Sequence, residues 1–482
     1  MEKTSLKNHK FEKGKFTTPL NEVIAELPDF KSWYYGRLPE YLWLGLIIDK
    51  YGRDIGINKI IKILFIFKEH QISDIKFSTI LSLETTLKIK ILNVIKNEVE
   101  DALNPLTLVF TYSNFSDFNK LFLFNEDIEK RKEQLIKVLN ESSFHQSDLA
   151  TDIRYFIVLF KIITNKVYGV SNEEIQLYPK LSHEDEKMRQ IRPLIRSMDL
   201  AFVNREMTNE SFIERFWDEI SQITECEELC ISSENPNIDI NLYLEKVYEI
   251  FNYFNSIYKL DPLSEKMNVI LGIAVYSYKR FKEIADYKMF DSILARSNVR
   301  VLIENYIMLK YLLLTETKQE NIWKEYKYYG IGAYKLILTK SREENKDIQN
   351  SYINFEYIEL LVNEFRNEEF IDMDIRYFDK QNIRQKAEAV GEKDLYNFHY
   401  DYGSSYEHGL WGAIRESSMI KCVNPGHRYH TVPDINNFIK LKSTLKDSIK
   451  IMNDIIQILK NEFGIPDELL KGVINFEESI DR

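Results

Sequence analysis

Glycine and proline are scarce, with 16 and 11 residues in a chain of 482. Both punctuate strands and turns, so their scarcity excludes a many-turned β architecture and favours long helices. Cysteine is rarer still. Cys226, Cys230 and Cys422 form an odd set in a long chain, which implies no disulfide framework and fits a reducing cytoplasm. Long apolar runs are missing: Tyr41–Ile48 and Ile60–Phe67 are broken by charge well short of the roughly twenty residues that cross a bilayer. The lysine-rich stretch Met1–Phe16 lacks the apolar core of a secretory signal. Positive charge is in deficit too. A net charge of −11 argues against a sequence-blind clamp on a phosphate backbone, which draws its free energy from counterion release. The chain has no Gly-x4-Gly-Lys-Ser/Thr loop, no dinucleotide-binding glycine fingerprint, no Gly-x-Ser-x-Gly elbow and no His-Glu-x-x-His, so neither a nucleotide-driven motor nor a serine hydrolase is expected.

What is present is globular. Apolar residues at 44% and charged residues at 29% can build cores, and the length exceeds what one core usually serves. Apolar positions recur at helical spacing from Tyr41 onward, which predicts an all-α protein of multi-helix bundle units in two domains. An N-terminal helical domain is expected over residues 1–170, an irregular helical middle and linker over 171–237, and a C-terminal helical domain over 238–482. The linker is placed at Ile231–Asn237, where Ser, Glu, Asn and Pro cluster. Helices are expected over Ser211–Cys230, Met289–Thr315, Lys393–Lys421 and Phe438–Phe463, and an acidic irregular stretch over Phe365–Asp379.

Two polar rows stand out in the C-terminal part. Arg300 and Glu304, four residues apart, share one helix face and suit a guanidinium–carboxylate pair, whose apolar flanks predict partial burial. Such a pair is either an ordinary intrahelical bridge or a phosphate clamp with its orienting carboxylate. Tyr396, Tyr400, Ser404 and His408 recur in steps of four and line one surface of a continuous helix, with Arg415 two turns beyond on a similar face. Imidazole titrates near neutrality, so His408 is the natural acid–base group, and a packing role for the whole row is the alternative. Four of the eight histidines, His399, His408, His427 and His430, fall close together in sequence. Cys422-x4-His427-x2-His430 has metal-ligand chemistry, but its spacing matches no standard structural pattern, and Cys226 and Cys230 are far off in sequence. No metal and no cofactor are expected, and Asn424–Arg428 reads as a turn with basic residues directed to solvent or over the site.

The segments Arg300-Val-Leu-Ile-Glu304 and Ala387-x8-Tyr396-x3-Tyr400-x3-Ser404-x3-His408-Gly409 resemble a family of bacterial and archaeal all-helical domains of unknown function, over about Asn241 to Lys460. Pro19-Leu20-Asn21, Ser32-Trp33 and Arg37–Trp43 resemble an N-terminal region found fused to it. Proteins of this type are similar in architecture and company to helical toxins of antiphage systems, particularly the HEPN ribonucleases, which cleave RNA without metal using an Arg, four to six residues, then a His. None of the eight histidines here has an arginine at that distance before it. The leading expectation is a cytoplasmic, abortive-infection-like antiphage effector and metal-independent endoribonuclease whose site is assembled from the two polar rows, with His408 moving the proton, Arg300 holding phosphate, Glu304 orienting Arg300, and Tyr396, Tyr400, Ser404 and Arg415 binding substrate. The rivals are a non-catalytic sensor or scaffold in a defence complex and a nucleotide-binding regulator. The partners expected are RNA or a nucleotide, another defence protein and a second copy of the chain, with no membrane.

Overall fold

The computed structural model describes residues 10–12, 14–17, 32–112, 115–122, 127–164, 172–203, 209–229, 239–259, 264–343, 352–363 and 378–473. The expected linker Ile231–Asn237, Cys230, the Pro19-Leu20-Asn21 motif and most of the acidic stretch at 365–377 lie outside the described residues. The all-α expectation holds, with 73% of the described residues helical. The described strands are short: Lys10–Glu12 pairs with Lys15–Thr17, and Glu228–Leu229, Met419–Cys422 and Thr431–Pro433 make a three-stranded sheet. No described helix is long and apolar enough to cross a membrane. Two compact units divide the chain: residues 1–229 with 421–432, and residues 230–420 with 433–482.

The first unit is built around the helix Leu38–Tyr51, whose residues from Leu38 to Ile48 are all buried. Ser32 caps the short helix before it by accepting the Tyr35 N–H, and Pro39 occupies the first turn, where its missing N–H loses nothing. The core holds charge as well. Arg37 donates to both carboxylate oxygens of Asp199 at 2.8 and 2.7 Å, and Arg154 reaches the same carboxylate at 3.2 Å while lying 4.2 Å over the Trp33 ring. Glu40, also buried, accepts the backbone N–H and the hydroxyl of Ser78.

In the second unit, the central helix Ile293–Thr315 packs against Glu265–Asp286 and Leu445–Phe463 through Leu302, Ile307, Leu309, Ile449, Met452 and Ile456. Ser264 and Ser292 start the first two of these helices by accepting N–H groups of their opening turns. The expected helix Phe438–Phe463 begins only at Leu445, because the N–H groups of Leu441 and Thr444 bond instead to the carbonyls of Asp291 and Phe290.

The expected continuous helix Lys393–Lys421 is interrupted. Leu395–Tyr400 is π-helical, Asp401–Glu407 is α-helical, and the helix then stops at His408. Gly409 takes a left-handed φ of 58°, the Leu410 N–H bonds to the Ser405 carbonyl and the Gly409 N–H to that of Tyr406. This paired closure by a glycine satisfies the last carbonyls and ends a helix. A separate helix, Trp411–Ser418, follows, and Met419–Cys422 is strand. Likewise Ser211–Cys230 is helical only to Ile223, after which Thr224 is extended and Glu228–Leu229 pairs with Lys421 and Cys422.

Candidate functional site

The two polar rows meet. The segment Leu395–Glu407 lies along the central helix, so Arg300 and Glu304 face Tyr396, Tyr400 and Ser404. Arg300 Nε donates to Ser404 Oγ at 2.9 Å, Nη2 donates to the Tyr400 hydroxyl at 2.7 Å, and Nη1 lies 3.4 Å from Glu304 Oε2. The Tyr400 hydroxyl in turn donates to Glu304 Oε2 at 3.2 Å. The guanidinium carbon sits 4.7 Å from the Tyr400 ring centre, within cation–π range, and the Tyr396 and Tyr400 rings stack at 4.9 Å and 20°. The Tyr400 phenol is pushed up to about 12, first by burial and then by the Glu304 charge, with Arg300 opposing, so it stays a neutral donor at pH 7. Arg300 is 17% exposed and Glu304 38%, which puts the pair at the rim of the packed interface.

Backbone geometry brings the rows this close. The Asp401 N–H bonds to the Tyr396 carbonyl, the five-residue span of a π-turn, a rare form that recurs at functional sites. At Gly403 an added Cβ would stand 2.9 Å from Arg300 Cβ and 3.1 Å from the Arg296 carbonyl oxygen. Gly403→Ala should therefore push the two helices apart and lower stability by about 1–3 kcal/mol. A denaturant midpoint unchanged from wild type would show that these helices do not touch there.

His408 and Arg415 do not join the cluster. His408 is the exposed C-terminal cap of Asp401–Glu407, and Arg415, on the next helix, donates from Nη1 to the carbonyl of Met419. Among the described residues, no hydrogen bond or ion pair links either side chain to Arg300 or Glu304. The helix end at Gly409 sets Arg415 on a separate helix, while His408, as the cap, is the last position of the row, one turn beyond Ser404.

Residues 267–427 match the model described as "Family of unknown function (DUF5677)". No curated protein matches the chain, and no solved structure does. The DUF5677 match takes in every residue of the Arg300 cluster, the break at Gly409, and Cys422 and His427, while Cys226 and His430 fall outside it.

A second constellation belongs to the first unit. Beside Cys422 and the histidines that follow it the fold sets Cys226, from the turn after Glu210–Ile223 and 201 positions from His427 in sequence. Cys226 Sγ lies 3.2 Å from His427 Nδ1 and 3.2 Å from His430 Nε2, and the donor atoms of all four residues fall within 4.8 Å of one another. The Cys226 thiol is raised above its ordinary range, first by partial desolvation and then by the neighbouring Cys422. His427 therefore turns inward rather than to solvent, with Nε2 3.0 Å from the Thr224 carbonyl.

The first unit also carries a cleft of about 410 Å³ lined by Asp49, Arg53, Glu141, Asp148, Asp152 and His183. Asp152 accepts from Arg53 Nε at 3.0 Å and the Tyr178 hydroxyl at 2.7 Å, and lies 2.9 Å from His183 Nε2, while His183 Nδ1 is 3.6 Å from Asp148. The Asp152 carboxylate and the Arg53 guanidinium, whose Nε is 3.0 Å from His183 Nε2, thus bear on the same imidazole nitrogen at the edge of the cavity. Sequence reasoning missed it: Asp148 and Asp152 share one face of the helix Asp148–Ile163, but Arg53, Tyr178 and His183 come from segments far from them in sequence.

Proposed function

We propose that the protein is a cytoplasmic helical effector of antiphage defence that engages a phosphate-bearing ligand, RNA or a nucleotide, at the Arg300–Glu304–Tyr396–Tyr400–Ser404 surface. The observation that carries this reading is the guanidinium held by three partners beside a stacked tyrosine pair. A guanidinium has more N–H donors than these partners occupy, and one immobilised at a rim meets phosphate with little ordering left to do. Stacked phenol rings supply the flat face on which a base rests. The finer reading is a metal-independent endoribonuclease. The ribose 2′-oxygen would attack the adjoining phosphorus as its proton is removed, and the 5′-oxygen would leave and be protonated. His408, one turn past Ser404, would move a proton, and Arg300 would offset the charge on phosphorus.

A second reading has its own support. Every Arg300 partner lies on the two packed helices, which is how a non-catalytic fastener in a sensor or scaffold would look.

The test uses the full chain with a fluorescent single-stranded RNA and, separately, a fluorescent nucleotide. Anisotropy reads binding and a denaturing gel reads cleavage. Arg300→Lys and Tyr396→Leu are expected to weaken binding about tenfold or more, near 1.4 kcal/mol. His408→Ala should abolish cleavage, leave binding intact and hold the melting temperature within about 2 °C, as for an exposed residue. Binding indifferent to both Arg300→Lys and Tyr396→Leu, with only the melting temperature falling, would establish the fastener. Protection of cells against phage that survives Arg300→Lys would sever the site from defence.

A further inference from the structure

We infer that Cys226, Cys422, His427 and His430 hold one Zn²⁺ in a tetrahedral, structural site within the first unit. The inference is independent of the function proposed for the second unit.

The donor set comes first. Two thiols and two imidazoles are soft and borderline ligands, and four of them around one point make the closed set of a structural zinc rather than an open catalytic one. The spacing fits. Zinc bonds of about 2.3 Å to sulfur and about 2.0–2.1 Å to nitrogen at a tetrahedral angle put sulfur and nitrogen about 3.6 Å apart. The two sulfur–nitrogen distances of 3.2 Å need shifts of only a few tenths of an ångström, and donors as far apart as the 4.8 Å span of the set close by about 1 Å on binding. On binding, the thiol protons of Cys226 and Cys422 pass to solvent and the thiolates coordinate, with no change of oxidation state.

The surroundings orient these donors. His427 Nε2–H donates to the Thr224 carbonyl at 3.0 Å, which leaves the Nδ1 lone pair facing Cys226, the outer-shell bond that metal-bound imidazoles characteristically make. Between the two histidines, Arg428 and Tyr429 both take left-handed φ values, 56° and 50°, which non-glycine residues adopt only when held there. That turn brings His430 back beside the His427 ring, centroids 5.3 Å apart and planes at 83°, so both rings converge on one sulfur. Backbone bonds support the frame: Val423 N–H to Glu227 O at 2.7 Å, Asn424 Nδ2 to Glu225 O at 2.7 Å, and Cys422 N–H to His430 O at 2.9 Å. The Tyr35 hydroxyl donates to the Arg428 carbonyl at 3.0 Å and the Tyr34 hydroxyl to that of Pro425. Cys422 is fully buried, whereas Cys226 and His430 are exposed, so the site closes at the surface. Its effect would be to staple residues 421–432 to the turn that follows Glu210–Ile223. A clip across so long a stretch of chain restricts the unfolded state strongly.

The test is metal content of the full chain, expressed with added Zn²⁺ and purified under reducing conditions without chelator. About one zinc per chain is expected. Co²⁺ in its place should give the intense visible bands and thiolate charge transfer of tetrahedral sulfur ligation. Cys226→Ser and His430→Asn, both at exposed positions, should weaken Zn²⁺ binding about tenfold or more with circular dichroism unchanged. Chelation should lower the melting temperature by about 5 °C or more. The inference fails if the wild-type chain, dialysed against Zn²⁺, keeps less than about a tenth of an equivalent. It fails equally if Cys226→Ser binds zinc as well as wild type, or if peptide mapping finds a Cys226–Cys422 disulfide in place of the metal.

Discussion

Asp199→Asn should destabilise the first unit by about 3–5 kcal/mol, the range for removing one charge from a buried ion pair. Asp199 is fully buried and is the carboxylate shared by Arg37 and Arg154, themselves 5% and 0% exposed. Asparagine keeps the shape, removes the negative charge and places an amide against a guanidinium, so two buried cations lose their counter-charge together. Nearby Arg196 adds to the imbalance: burial together with Arg154 and Arg196 depresses the His145 imidazole to about 4, so that ring stays neutral and supplies no compensation. Denaturant titration followed by tryptophan fluorescence suits the question, because Trp33 lies against Arg154. A loss below about 1 kcal/mol would show that the cluster is solvated or relaxes easily.

Stability should also fall as pH rises, through Glu40. Burial raises its carboxyl from 4.5 to about 7, against the two Ser78 bonds that favour the charged form. The native state thus holds the proton more tightly than the unfolded chain. The associated stability is complete below about 4.5 and is lost as pH climbs through about 7. Each tenfold difference in proton affinity between the two states is worth roughly 1.4 kcal/mol, so the loss approaches about 3 kcal/mol. His145 works in the opposite sense, gaining stability as pH rises from about 4 toward 6.5, so the wild-type curve alone mixes the two. The measurement is therefore the difference between wild type and Glu40→Gln across pH 5 to 8, in which wild type loses ground. Parallel curves would rule out a perturbed Glu40.

Much of the scaffold could be read from residue order. Local sterics and apolar spacing dictate helices, and few glycines and prolines interrupt them, so the all-α class followed directly. The Arg300–Glu304 pair and the Tyr396–Tyr400–Ser404 row were legible for the same reason, since residues four apart share a helix face. The halt at His408 was harder to see. A glycine inside a helical pattern either weakens the helix or ends it, and only the two closing hydrogen bonds at Gly409 tell which. Asp199 and Arg154 look like solvated-face residues in sequence, because charge identity says nothing about which face finds the core.

Residue order by itself determined which side chains share a helical face, because that depends only on the pitch of the helix. Which faces meet was decided by packing: Arg300 against Tyr400, Asp199 between two arginines, and Cys226 beside His427. These contacts span long stretches of chain, and they form when the burial of many apolar residues outweighs the entropy of closing the intervening loops. That balance belongs to the whole unit, and no local pattern carries it.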